Sequence, residues 1–195
     1  MNRKRLRTHA MKVGLVLLAG LVLFISERQN SGGSASHAAN GDTYTLSGKV
    51  VRVADGDTFT LLAGRKQERV RLASIDAPEA TQSRERPGQG YANASRQALS
   101  DLIADKQLEL QCFEQDRFER HICDVPLANG GTANQRQVAS GMAWANREGK
   151  GKFLRDPEID GLERQARQQR LGLWQDRDPV APWVWRYDCW RQERC

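Results

Sequence analysis

Residues 44–79 read YTLSGKVVRVADGDTFTLLAGRKQERVRLASIDAPE. Three β-type runs separated by two turn clusters can be picked out of this stretch. Tyr44–Val53 alternates β-favouring side chains with others, and Ala54-Asp55-Gly56-Asp57 interrupts it. Thr58–Leu62 resumes the extended pattern, Gly64-Arg65-Lys66 turns the chain again, and Arg69–Ile75 forms the third run. Alternation bounded by Gly and Asp clusters marks strands joined by tight turns, so the stretch predicts a three-stranded meander.

Beyond Pro78 the period changes. After the Gly88–Gly90 break, Tyr91–Ala104 places Ala94, Ala98, Leu102 and Ile103 close to helical spacing, which predicts an amphipathic helix. Leu108–Phe113 and Ile122–Leu127 alternate as strands, each with one cysteine. Ala133–Ser140 reads as a short helix ended by Gly141, and Pro157–Arg170 as a longer one ended by Leu171-Gly172. Five short strands with helices after the third and fifth predict an α+β chain, mainly β: a five-stranded OB-type barrel with about three helices, over residues 44–175. Residues 176–195 carry Trp183, Trp185, Trp190 and two cysteines and read as a stapled appendage. No Rossmann or Walker glycine pattern occurs, so a nucleotide-cofactor fold has no support.

Upstream, residues 29–43 are mostly small and polar, the composition of a flexible linker. Residues 13–25 are an uncharged apolar run behind a basic segment. A run of that length matches a secretory signal and falls short of the ~20 residues that span a bilayer. Residues 1–28 are therefore expected to export the chain, to the periplasm or outside the cell. The segment is either cleaved, with Ser36-His37-Ala38 the best small-x-small site, or kept as a short inner-membrane anchor; this is the chain's one expected tie to a membrane. The four cysteines, at 112, 123, 189 and 195, are even in number and suit an oxidising compartment. They allow three connectivities, of which the spacings favour 112–123, stapling the hairpin across its polar tip, and 189–195. With no C-x-x-C and scattered histidines at 9, 37 and 121, zinc has no ligand pattern.

The formal charge of +6 invites a nucleic-acid partner. Yet residues 1–28 hold six basic side chains against Glu27 and supply five of those units; the rest of the chain carries 24 basic against 23 acidic side chains. Specific positions must therefore carry any case for nucleic acid. Asp55-Gly56-Asp57-Thr58 sits at one strand junction and Asp76-Ala77-Pro78-Glu79 at the end of the third run. Carboxylates at such turns are hard oxygen donors of the kind calcium and magnesium take. Arg71 lies on the strand between them, and Asp116-Arg117-Phe118-Glu119-Arg120-His121 adds arginine at the next hairpin tip. Metal-binding acids, a spare glutamate and two separated arginines suit phosphodiester hydrolysis. Such a site needs a polarised phosphoryl oxygen, a handled water and guanidiniums on the growing charge.

These segments, with Gly141-Met142-Ala143-Trp144 and Leu171-Gly172-Leu173-Trp174 following in order, resemble the staphylococcal nuclease (thermonuclease) family over about residues 44–175. The resemblance implies a five-stranded OB barrel with three helices. It implies Asp57, Asp76 and the backbone carbonyl of Ala77 as Ca2+ ligands, and Glu79 as the group acting on the attacking water. Arg71 is implied as the phosphate-binding arginine and Arg120 as the second one, while Asp55 shapes the turn. The expected enzyme is a monomeric, calcium-dependent nuclease cutting DNA, and RNA with it, to 3′-phosphate ends. Two departures stand out: Glu119 replaces the family's usual Gly and is expected to pair with Arg120, and Phe118 replaces Tyr. The aromatic residues that line the family's base pocket are also missing around Asn146–Lys152. The rival reading, an envelope-located barrel that binds nucleic acid or a protein without cutting, has no use for Glu79 beside two metal-site aspartates.

Overall fold

The computed structural model describes residues 43–195; the export segment and all of the linker but Thr43 lie outside the described residues. The barrel is made of β1 (Tyr44–Val53), β2 (Thr58–Ala63), β3 (Lys66–Leu72), β5 (Gln107–Gln115) and β6 (His121–Asp124), closed in the order β1-β2-β3-β6-β5. β4 (Ile75–Asp76) lies outside it, and α1 (Ala92–Ile103) fills the gap in sequence before β5. The 10-residue β1 is long because it serves two neighbours, pairing with β2 through Lys49–Val53 and with β5 through Tyr44–Lys49. A register shift between Val50 and Arg52 marks an irregularity where it passes from one to the other, a device that bends a strand around a barrel. The contact between β3 and β6 is parallel and closes the ring.

Period-2 alternation turns one side of each strand inward. Val50, Phe59, Leu61, Val70, Leu72 and Leu110 are fully buried, and α1 adds Leu99 and Ile103 to the same core. Burying each such side chain stabilises the fold by about 1.5–3 kcal/mol. Cys112 and Cys123 face each other in register across β5 and β6, form a disulfide and are both buried. The bridge thus belongs to the barrel core and not to the polar hairpin tip where the sequence placed it. The second disulfide joins Cys189 to Cys195.

The expected third strand is cut in two. β3 stops at Leu72, Ser74 takes a positive φ of 67°, and Ile75–Asp76 leaves the barrel as β4 to pair with β7 (Trp144–Ala145). The expected strand Ile122–Leu127 also ends early, at Asp124. There the buried Asn134 side chain accepts from Val125 N–H at 3.1 Å and donates to the Ala73 and Cys123 carbonyls, replacing the ladder. The three principal helices are α1, α2 (Ala133–Ala139) and α4 (Ile159–Gln168). α2 is opened by a capping box between Thr132 and Gln135. Short turns supplement them: α3 (Glu148–Gly151), a 3-10 turn at Gly172–Gln175, α5 (Pro182–Trp185) and a π-helical turn at Arg186–Arg191.

Two quoted motifs find their reason in packing. Gly141 and Gly172 meet backbone to backbone at positive φ; a Cβ on Gly141 would lie 2.1 Å from the Leu171 carbonyl oxygen, and one on Gly172 would lie 2.2 Å from that of Gly141. The contact sets the Trp144 and Trp174 rings edge to face, 5.2 Å apart. This fixes β7, and through it β4, against the barrel.

Candidate active site

The β1–β2 turn carries Asp57. Asp55 Oδ1 accepts the Asp57 N–H at 3.0 Å and shapes the turn. Gly56 must be glycine here, since a Cβ would lie 1.8 Å from Ser95 Oγ on α1. A two-residue turn between β2 and β3 then sets Thr58 directly opposite Arg71, so the guanidinium lands beside Asp57 by register alone. Arg71 Nη1 donates to Asp57 Oδ1 at 2.8 Å and Nη2 to Asp76 Oδ1 at 2.6 Å. Both aspartates are buried. Asp57 also accepts from the Thr58 hydroxyl at 2.8 Å and the Ala77 N–H at 2.9 Å, which binds the two acidic turns together.

The Glu79 backbone is held by Gln89, whose side-chain oxygen accepts its N–H at 3.0 Å. Burial pushes the Glu79 carboxyl above its usual range, against the opposing pull of Arg186. For Asp55, burial and then the Asp57 charge raise the carboxyl to about 7. Burial works against the charge of Arg71, but Asp57 and Asp76 more than compensate and hold the guanidinium ionised.

Asp57, Arg71, Asp76, Ala77 and Glu79 thus converge as their positions in the sequence predict. Arg120 stands apart from them but lines the same cleft, a cavity of about 980 Å³ that also holds Phe118 and Phe153. Its expected partner Glu119 is not its partner. Arg120 Nε and Nη2 both donate to Asp116 Oδ2, at 2.9 and 2.7 Å, and Asp116 is thereby held below the usual carboxylate range in spite of partial burial. Glu119 has φ 59°, the left-handed conformation in which glycine is at ease; a hairpin turn of this shape accounts for the glycine usual at that position.

One residue of the site was missed. Arg186, from the C-terminal segment, donates through Nη1 to Glu79 Oε1 at 2.6 Å and through Nη2 to Asp76 Oδ2 at 2.8 Å. Trp185 and Trp190 flank it and both donate to the Pro87 carbonyl, at 3.0 and 2.9 Å. The residues 176–195 that read as an appendage therefore reach the centre of the cleft. No motif marks Arg186: it lies 107 residues beyond Glu79 in a segment without strand or helix period. A tryptophan-flanked arginine behind Pro182 is its only signal.

The donor chemistry suits a hard divalent cation, with two buried carboxylates drawn to one spot and further acids on either side. Among the described residues no group of three His, Cys, Asp or Glu side chains is arranged to hold a metal.

A closed five-stranded barrel whose mouth interleaves buried carboxylates with guanidiniums suits phosphodiester hydrolysis, and comparison with known proteins shows the class. The staphylococcal nuclease homologue family model matches residues 69–176. A protein of Escherichia coli O157:H7 described as an uncharacterized endonuclease is 39% identical over 142 residues, covering 73% of this chain and 86% of its own. A micrococcal nuclease of Shigella flexneri is 40% identical over 147 residues, covering 71% and 79%. An uncharacterized endonuclease of Haemophilus influenzae is 35% identical over 147 residues, covering 75% and 74%. The chain belongs to the staphylococcal nuclease family, and it is a nuclease hydrolase with nucleic acid as its substrate.

Proposed function

We propose that this nuclease is an exported, calcium-dependent enzyme that hydrolyses DNA, and RNA with it, leaving 3′-phosphate and 5′-hydroxyl ends. The observation that carries the reading is the bridging of Asp57 and Asp76 by the Arg71 guanidinium, with Asp76 linked in turn to Glu79 through Arg186. Asp57, Asp76 and the Ala77 carbonyl would hold Ca2+, which when bound polarises a phosphoryl oxygen. Glu79 takes or orients a proton of the attacking water. As the new P–O bond forms, the bond from phosphorus to the 5′ oxygen breaks, and the departing oxygen takes a proton from solvent water. Arg71 binds the non-bridging oxygens on which charge grows. Arg120, at the cleft wall and 5.5 Å over the Phe118 ring, is the second guanidinium on the substrate phosphate.

The full chain should degrade single-stranded DNA in calcium and stop on addition of EDTA. Glu79→Gln and Arg120→Ala should each lose about 100-fold or more in kcat/KM, the range for a general base or a transition-state donor. Activity that survives chelation, or that is unchanged in both variants, would overturn the mechanism. End-group analysis of the products checks the 3′-phosphate.

A further inference from the structure

Without its C-terminal segment the site would pair Asp57 and Asp76 with Arg71 and leave Glu79 with no guanidinium partner. Arg186 supplies a second cation, and its fork spans the two carboxylates that the mechanism treats differently. Nη2 takes Asp76 Oδ2, Nη1 takes Glu79 Oε1, and a longer bond at 3.2 Å joins Nη1 to Asp76 Oδ1. The guanidinium therefore fixes the distance between the metal-site aspartate and the base.

The segment is held where it must be to do this. Gln89 accepts the Glu79 N–H and donates to the Val180 carbonyl at 2.7 Å, so one side chain ties the base and the tail together. The indole N–H groups of Trp185 and Trp190 fasten the turn that carries Arg186 to Pro87, and the Cys189–Cys195 disulfide closes the end of the chain behind it. The geometry points to Arg186 as a positioning residue of the hydrolytic site, holding the Glu79 carboxylate against Asp76, so that the C-terminal segment is part of the active site. This rests on the reading of Glu79 as the group that acts on water.

The test compares the full chain with Arg186→Gln, Arg186→Lys and, as a control on the same segment, Arg194→Gln, which alters only an exposed pair with Asp188. Cleavage of single-stranded DNA at saturating calcium is paired with calorimetric calcium binding in the absence of DNA and with a thermal melt. Arg186→Gln should lower kcat about 30-fold and leave KM within about threefold, because positioning acts on the chemical step. It should also bind calcium several-fold more tightly, since a cation beside Asp76 has been removed. Arg186→Lys should recover part of kcat, and Arg194→Gln should match the native chain.

An unchanged kcat in Arg186→Gln would overturn the inference. So would a raised kcat, which would make Arg186 a plug that competes with the metal. Loss of kcat, calcium binding and the cooperative melt together, in the Gln and Lys variants alike, would reduce Arg186 to a structural contact and overturn it too. Full activity in Glu79→Gln would instead remove the role on which the inference rests.

Discussion

Glu119 shows how a single residue can depart from a pattern without disturbing the chemistry beside it. Its carboxylate leaves Arg120 to Asp116, and its cost lies in the backbone, at φ 59°. A non-glycine residue held there costs about 1–2 kcal/mol, part of which glycine returns through its freer unfolded chain. Glu119→Gly should therefore raise the unfolding free energy by about 0.5–1 kcal/mol in urea titration while leaving kcat within twofold. A large gain in activity would mean that Glu119 restrains Arg120 after all. Asp57, Arg71, Asp76 and Glu79 were legible in the sequence because they fall in short motifs that match the family in order and spacing, and a two-residue turn dictates that Thr58 faces Arg71. Ser74 was not, for a positive φ at serine carries no mark of the kind that Gly or Pro gives.

At the level of elements, the site depends on how closely the β1–β2 turn is pressed against α1. The buried Gln137 side chain of α2 donates to the Gly56 carbonyl at 2.7 Å and to that of Ser95 at 3.0 Å, pinning turn and helix together where a methyl group has no room. Gly56→Ala should destabilise the protein by about 2–3 kcal/mol and lower kcat through displacement of Asp57. Urea denaturation and cleavage assays read the two effects separately; an alanine variant as stable as the native protein would refute the crowding described here. The barrel strands could be read from alternation since each is long enough to show a period. β4 and β7 could not, because a two-residue strand has no period and exists only through its partner. The short α5 and the π-helical turn escaped for the same reason.

For the molecule as a whole, charge is local. The chain beyond residue 28 is almost neutral, so affinity for nucleic acid rests on the few guanidiniums of the cleft. If about three phosphates are neutralised, KM for single-stranded DNA should rise with salt with a log–log slope of about 2, measured at fixed calcium. A slope of 5 or more would reveal a broad basic surface that the charge distribution does not provide. The order of the chain has a consequence of another kind. Ribosomes deliver Asp57, Asp76 and Glu79 early and Arg186 only 107 residues after Glu79. A polypeptide lacking the C-terminal segment would contain every barrel strand and every acid of the site, yet not the guanidinium that joins Asp76 to Glu79. The acids of the site and the guanidinium that spans two of them thus come from stretches of chain far apart in sequence, and the ion-pair set forms only when the two fold together.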